Sequence, residues 1–239
     1  MSHLMYLRVV NCIITKVQFH ATRLSTFEYK GQFVPIDFTR CLKMENANIL
    51  FYKAVFQHAL IALLNDIPSI QNLTLQILFQ RLEMQWDLGH QHKLSQLKKV
   101  QFLMHMFEED VDNVLYLVCF LKAVPFMEKL ELHFGGCKEL WFANNGPARQ
   151  DLPHTRREYS YLKDIHITGY KAARGQLQFL LHIVQHAPAL EALTVDTRQL
   201  LPEECFPDKV DSSFLHHVTR HARYHLSQEL SSKVKLCVL

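Results

Sequence analysis

The stretch LKDIHITGYKAARGQLQFLLHIVQHAPALEALTV, residues 162–195, decides the fold. Apolar side chains occupy its first, fourth and sixth positions, and this near-alternation is typical of a short strand with one buried face. Residues 176–187 carry apolar side chains at helical spacing. Pro188 ends that helix because a proline has no N–H for the hydrogen-bond ladder. The strand motif returns at residues 190–195, so the stretch predicts strand, helix and strand in succession.

The same strand motif recurs along the chain. Its three apolar positions are occupied by Leu4-Leu7-Val9, Leu24-Phe27-Tyr29, Ile70-Leu73-Leu75, Leu97-Val100-Phe102, Met127-Leu130-Leu132, Leu162-Ile165-Ile167 and Leu190-Leu193-Val195. The clearest duplication pairs residues 97–134 with residues 162–196, which match in order and, to within a few residues, in length. Further helices are predicted over residues 53–65, 111–123 and 211–230. A last alternating strand is predicted at Val234-Leu236-Val238.

A supersecondary unit that repeats at roughly 20–35 residues indicates a solenoid, because a strand and its helix bury their apolar faces only against neighbouring units. We therefore predict an α/β fold, a leucine-rich-repeat-like solenoid with a parallel sheet on its concave side and helices and loops on its convex side. A single repeat domain is expected over residues 1–239, with the best-defined units at 97–134 and 162–198 and a C-terminal cap at 211–239.

The spacing of the units is irregular. Segments 31–46 and 135–160 are interpreted as longer loops. A compact α/β domain with alternating strands and helices is therefore an open alternative.

Composition and charge exclude several classes of protein. The 239 residues are 49% hydrophobic and 21% charged, which is ordinary for a globular chain. The net charge is only +3 and the basic residues are spread out, so we expect no nucleic-acid partner. No apolar run approaches the ~20 residues of a membrane span, and no signal peptide is recognised. We therefore expect no membrane association and an intracellular location, either cytoplasmic or nuclear.

The cysteines and histidines are the residues that could form reactive or metal-binding groups. The six cysteines lie far apart without a CxxC pair, which favours buried free thiols in a reducing compartment over disulfides. His217, His221 and His225 recur every four residues on one helix face, where two histidines can bind zinc. No HExxH motif or nearby cysteine pair completes a site, so we interpret this face as solvent-exposed. We expect no metal.

Enzyme chemistry finds no support in the motifs. There is no GxSxG motif and no glycine-rich phosphate loop, so we expect no catalytic residue and no cofactor, with a hydrolase as the alternative. Trp86 and Trp141 flank polar loops and are either binding anchors or core residues. Arg156 and Arg157 form a basic spot, which is either an ordinary surface loop or a phosphate-recognition site.

The free central position of each strand motif points away from the buried face, since neighbouring side chains of a strand alternate between faces. These positions hold Arg8, Glu28, Thr74, Gln101, Glu131, His166 and Thr194. They make a polar row of mixed charge. Our hypothesis is that a partner protein or peptide binds along this row on the concave face. The alternative is a row that is merely solvated.

Residues 162–199 resemble the C-terminal region of plant F-box proteins with leucine-rich repeats, of the type numerous in grasses. That family has a strand of the form LKxVxIxGF, a polar loop, a helix ELxxxILENA and then ALExLxIDxR. The residues that match are Leu162, Lys163, Ile165, Ile167, Gly169, Tyr170, Leu177, Leu180, Ile183, Ala187, Leu190, Glu191, Leu193, Val195, Asp196 and Arg198. The resemblance implies a non-catalytic domain like the substrate-recognition part of an F-box ubiquitin-ligase receptor.

The F-box itself has no counterpart in the sequence, which starts with a repeat-like strand, HLMYLRVVNC at residues 3–12. In the family the F-box docks on the adaptor Skp1, so we expect no Skp1 binding by this chain. A stand-alone scaffold, or a truncated remnant of an F-box protein without ligase recruitment, is the alternative function.

Overall fold

A computed structural model gives the structure of the protein. It describes residues 3–38, 40–52, 54–55, 58–59, 70–78, 95–106, 112–136, 141–142, 158–199 and 212–239. Within these ranges nine parallel strands form one sheet, and their order in the sheet is their order in the chain. Each strand is thus hydrogen-bonded to the next sheet strand along the sequence, as in a solenoid, without the strand-order reversal of a doubly wound sheet.

The sheet consists of β1 (Tyr6–Val10), β3 (Thr26–Gln32), β5 (Asn46–Tyr52), β6 (Asn72–Leu78), β7 (Lys99–Met106), β8 (Lys129–Gly136), β9 (Asp164–Thr168), β10 (Ala192–Val195) and β11 (Lys235–Val238). Two short strands, β2 (Val17–Gln18) and β4 (Ile36–Asp37), form a separate parallel pair. In all seven strand motifs the last two apolar residues lie on a strand of the large sheet and the first lies just before it, and the final alternating segment forms β11 in the same way. The predicted α/β solenoid is confirmed.

The helices lie on the apolar side of the sheet. A 3-10 turn at Asn113–Tyr116 leads into α1 (Leu117–Ala123), which is followed by α2 (Arg174–His186) and α3 (Ser212–Glu229). Phe120 of α1 meets Phe102 of β7 with ring centroids 5.0 Å apart. Helix α2 packs against both the 3-10 turn and α3, so the helices form a layer over the later strands.

The buried side of the sheet carries continuous apolar rows. One row runs strand by strand through Tyr29, Ile49, Leu75, Phe102, Leu132, Ile167 and Val195. Tyr29 is 2% exposed and the six others are 0% exposed. Full burial of one such side chain stabilises the fold by roughly 1.5–3 kcal/mol. This shared interior is why no single unit needs a core of its own.

Strand β5 was not predicted from the sequence, in which residues 31–46 were interpreted as a loop with no strand after it. The motif is present as Met44-Ala47-Ile49, and these side chains are 1%, 3% and 0% exposed. Alanine in the middle position makes the apolar pattern weak, whereas hydrogen bonding to β3 and β6 on both sides supplies the strand.

Other boundaries also differ from the predictions. The expected helix over 111–123 starts as a 3-10 turn and becomes α-helical only at Leu117. The first two residues of the expected loop over 135–160 belong instead to β8, which continues through Gly136. Most of the predicted helix over 53–65 and most of that loop lie outside the described residues.

Gly169 marks a close approach between two units. Its φ is +68°, in the left-handed region. A Cβ at this position would lie 1.9 Å from the carbonyl oxygen of Phe134 on the neighbouring strand β8. The buried Gln176 side chain spans the following turn, accepting from the Lys171 N–H at 2.8 Å and donating to the Gly169 carbonyl at 3.2 Å. The glycine of the motif is therefore required by the packing of β8 against β9.

Candidate interaction face of the sheet

The predicted polar row is aligned across the sheet by the strand register. Direct Cα partners link Arg8, Glu28, Asn48, Thr74, Gln101, Glu131, His166, Thr194 and Cys237. We call these nine residues the central row. Together with the residues two positions before and after them on each strand, they make up the polar face. The structure therefore brings all seven predicted row residues together, and it adds Asn48 and Cys237.

A hydrogen-bonded network joins the middle strands of the polar face. The Thr74 hydroxyl donates to Gln101 Oε1 at 3.2 Å, and Gln101 Nε2 donates to Glu131 Oε2 at 2.9 Å. Gln101 Nε2 also lies 2.9 Å from His133 Nε2, while His133 Nδ1 lies 2.9 Å from the Thr168 hydroxyl. Because the amide nitrogen is a donor, His133 Nε2 accepts and its proton resides on Nδ1. The network fixes the rotamers of the side chains that flank it.

His133 anchors this network from inside the sheet. The residue is 1% exposed, and its burial lowers the pKa of its imidazole. The ring is therefore neutral at pH 7, in agreement with the assigned tautomer. His133 was not among the predicted site residues, although it stands two residues after Glu131 on the same strand and hence on the same face.

Lys129 organises the charges of the polar face. Its ammonium lies 2.8 Å from Glu131 Oε1 and 3.3 Å from Asp164 Oδ2. The hydrogen bond with Glu131 raises the pKa of Lys129. Burial opposes ionisation of Glu131, yet the Lys129 ammonium, together with His133 and His166, lowers the pKa of this carboxyl group. Lys129 and Glu131 are therefore both ionised at neutral pH, and the ammonium holds the two carboxylates in place.

The polar face is looser toward its first strands. Arg8 Nε and Glu28 Oε2 are 3.4 Å apart, but the Arg8 side chain is 62% exposed. An exposed pair of this kind contributes about 0–1 kcal/mol. Beside it, Asn72 Nδ2 donates to Asn46 Oδ1 at 2.8 Å, which links neighbouring strands through side-chain amides.

A depression of about 380 Å³ lies over β6, β7 and β8. It is lined by Asn72, Leu73, Thr74, Lys99, Val100, Gln101, Lys129 and Glu131. Three of its lining residues belong to the predicted row. Lys99 is exposed and has no ion-pair partner among the described residues, so it is available to a carboxylate from outside.

The comparisons with known proteins agree with this architecture. The family model described as At1g61320/AtMIF1, LRR domain, matches residues 1–238. The chain belongs to this leucine-rich-repeat family. No curated protein and no solved structure matches it. Leucine-rich-repeat domains are typically non-catalytic, and solenoids of this kind present extended surfaces to partner proteins.

The other candidate residues of this LRR domain fall outside the polar face. Trp141 is half-buried beside the core, with the Lys171 ammonium 5.4 Å from its ring centroid. His217, His221 and His225 lie on α3, and no group of three or more potential metal ligands occurs among the described residues. Only His217 is exposed, whereas His221 and His225 are half-buried, which corrects the expectation of a solvent-exposed histidine face. Trp86, Arg156 and Arg157 lie outside the described residues.

The four cysteines that the structure describes are free thiols, and their burial differs. Cys41 is buried, and Cys119 and Cys237 are half-buried. Cys12 is exposed, which corrects the expectation that the thiols are buried. It lies two residues after β1, which is the first strand of the sheet that the described residues form. None of the described helices is both long enough and apolar enough to cross a lipid bilayer.

Proposed function

We propose that the polar face of this LRR domain binds a partner protein or peptide, as the substrate-recognition part of an F-box ubiquitin-ligase receptor does. The observation that carries the proposal is the central row, in which polar side chains stand in register on nine adjacent strands. At about 4.8 Å between strands, such a row extends over roughly 38 Å, which is long enough for a peptide or for one face of a folded partner.

The network in the middle of the polar face supports this proposal. Thr74, Gln101 and Glu131 are tied to one another and to buried His133, so a partner meets side chains that are already ordered. Ordering groups before association reduces the entropy that binding costs. Opposite charges also stand side by side here, in Lys99, Lys129 and Asp164, and they favour a partner with a complementary pattern.

In this proposal the residues in contact with the partner are Glu28, Thr74, Gln101, Glu131, His166 and Thr194. The domain has no catalytic role and no cofactor, acts in the cytoplasm or nucleus, and binds neither nucleic acid nor membrane. It does not recruit a ligase by itself. A stand-alone scaffold without ligase recruitment is the second candidate function.

The test compares two variants with the same pattern of charge changes. The face variant combines Asn48→Arg, Lys99→Glu and Thr194→Arg, because none of these side chains supports the network. The control variant combines Lys43→Glu, Gln228→Arg and Ser232→Arg at exposed positions away from the polar face. Affinity purification with quantitative mass spectrometry should find specific partners with the wild type and the control and lose them with the face variant. Equal recovery by both variants would refute the polar face as the binding surface.

Replacing Gln101, Glu131 and His166 together with alanine is a second test of the same surface. It should weaken partner capture, but it also removes a hydrogen bond from buried His133, so circular dichroism must show a folded chain. A pull-down with purified Skp1 distinguishes the two candidate functions. We expect no Skp1 binding, and robust binding would contradict the proposed absence of ligase recruitment.

A further inference from the structure

Helix α3 presents a second surface that the polar face does not include. The helix packs inward through Val218, Ala222 and Leu226, which are each 0% exposed. It contacts α2 and β11, on the helix side of the sheet. Its outward side keeps two large aromatic residues in solvent, Phe214 at 49% and Tyr224 at 61% exposed. Large aromatic side chains that stay exposed to solvent often mark a binding surface.

These aromatic residues border a groove of about 490 Å³. Its lining consists of Phe142, Phe214, His217, Arg220, His221, Tyr224 and His225. The rings of Phe142 and His221 meet edge-on with centroids 5.8 Å apart, and those of His221 and His225 are 4.5 Å apart. The Phe142 N–H donates to the Lys171 carbonyl at 2.9 Å, which fixes this ring to the turn after β9.

The floor of the groove is uncharged. Burial, and secondarily the nearby His225, lowers the pKa of His221, so its imidazole is neutral at pH 7. Together with Phe142, it offers ring faces and edges to an incoming apolar side chain.

The rim of the groove is cationic. Among the described residues no aspartate or glutamate lines the groove, and neither Arg220 on its rim nor Arg223 further along α3 has a carboxylate partner. Arg220 Nη2 lies 3.5 Å from His216 Nε2, and Arg223 Nη2 donates to the Val238 carbonyl at 3.0 Å. The carboxylate of Glu229, near the end of α3, accepts instead from Gln185 Nε2 at 3.2 Å.

The cationic rim continues over the other flank of the helix. A second depression of about 790 Å³ shares Arg220 and Tyr224 with the groove and includes Arg223. Arg220 therefore stands between two recesses, and Arg223 lines the second of them. Guanidinium groups in such a position bind carboxylates with two parallel hydrogen bonds.

We propose that the α3 groove, lined by Phe142, Phe214 and Tyr224, docks an acidic segment of a partner protein. One aromatic or large aliphatic side chain of the segment inserts over Phe142, and flanking carboxylates pair with Arg220 and Arg223. The apolar floor suits the inserted side chain and the rim arginines suit the flanking acids, whereas a chain with a net charge of only +3 lacks the basic footprint of a nucleic-acid binder. The site acts independently of the polar face.

The test measures fluorescence anisotropy with a labelled twelve-residue peptide that has a central tryptophan among aspartates and glutamates. Three further probes are used: the same peptide with alanine in place of tryptophan, a version with asparagine and glutamine in place of the acids, and a twelve-nucleotide single-stranded RNA. We expect the acidic tryptophan peptide to bind at least about tenfold more tightly than each of the other three probes, since anchor and charges contribute separately. Tighter binding of the RNA, or no binding of the peptide at millimolar concentration, would overturn the proposal.

Variants then assign the binding to the groove. Peptide affinity should fall about tenfold or more in the double variant Arg220→Glu with Arg223→Glu. A similar loss is expected in Tyr224→Ala. The matched control, Lys43→Glu combined with Lys163→Glu, changes the same charge at exposed positions elsewhere and should leave the affinity within about twofold, since exposed charges outside a contact contribute little. All substituted side chains are exposed, so folding should persist. Equal losses in the control and the arginine variant would show non-specific attraction and refute the site.

Discussion

The first and the last units of the sheet fill the space behind their strands in different ways. The register pairs Tyr6 with Thr26 and Thr26 with Asn46, a spacing of 20 residues each time. Asp164 is paired with Ala192, a spacing of 28 residues, and helix α2 fits between them. The strand register is equally regular in both regions. The length of the connection decides whether the covering layer contains a helix.

The short connections rely on aromatic side chains instead of helices. Phe38 stacks on Phe19 with centroids 5.4 Å apart and meets Phe27 edge-on at 5.6 Å. The small pair of strands β2 and β4 holds the returning chain in this region. A solenoid can therefore keep one sheet while its other layer changes from packed rings to packed helices, because each unit only has to match its neighbours.

The largest effect is expected at the glycine that lies between two late units. Gly169→Ala should lower the free energy of unfolding by about 3 kcal/mol or more, because the Cβ meets backbone at φ +68°. Gly31→Ala in the early region is the matched control. Its Cβ would meet only the end of the Tyr29 side chain, at 2.8 Å, and a positive φ is not required. Urea denaturation measures both, and equal losses would contradict the close approach of β8 and β9.

The late region should also carry a pH dependence that the early region lacks. Burial, with His186 and Lys122, lowers the pKa of His182 from 6.5 to about 4. The unfolded chain thus binds this proton more tightly, and stability that is complete above pH 6.5 is lost as the pH falls toward 4. The loss should be on the order of 2–3 kcal/mol. Thermal unfolding of His182→Gln should show a flatter profile between these pH values.

Exposed His20 of the early region provides the control for this pH experiment. His20→Gln should leave the profile of the wild type unchanged. An unaltered profile in His182→Gln would mean that another group causes the acid sensitivity.

The aromatic packing of the early region should be more sensitive to loss of a ring than the helical packing of the late region. Phe38 and Phe179 are 1% and 0% exposed, but only Phe38 has ring partners among the described residues. Phe38→Leu should therefore lower the unfolding free energy by about 1–2 kcal/mol more than Phe179→Leu, since each aromatic pair contributes about 0.5–1.5 kcal/mol. Chemical denaturation compares them, and a larger loss for Phe179→Leu would refute this account of the early core.

The smallest effects concern two ion pairs on the polar face. Glu131→Gln should lower the unfolding free energy by about 1 kcal/mol, because Glu131 is held by both Lys129 and Gln101. Glu28→Gln should change it by less than about 0.5 kcal/mol, since its partner Arg8 is largely exposed. Added salt should reduce the Glu28 effect further. A Glu28 effect equal to that of Glu131 would show that the first strands are as ordered as the middle ones.

The strands of the sheet could be predicted because their signal is local. The spacing Leu162-Ile165-Ile167 identifies a buried face without any information about the neighbouring strands. The alternation of side chains along a strand then places His166 on the opposite face. Strand β5 could not be found in this way, because Ala47 carries too little apolar surface to stand out. Its position depends on the strands on either side, which a local pattern does not contain.

The candidate site also has some features that a local pattern predicts and others that depend on distant segments. Glu131 and His166 were placed in one row by their motif position alone. The burial of His133, its contacts with Gln101 and Thr168, and the depression beside Lys99 required side chains from four strands that are far apart in the chain. The α3 groove could not be predicted for a similar reason, because Phe142 and His221 are far apart in the sequence.

The sequence by itself determined the repeating strand motif, the apolar and polar faces of each strand, and the identity of the central row. These properties depend only on the alternation of side chains along a strand. The tertiary structure alone decided which strands are neighbours, how His133 is shielded from water, and where Phe142 meets α3. Such contacts arise from packing between distant segments, where shape and burial matter more than local order.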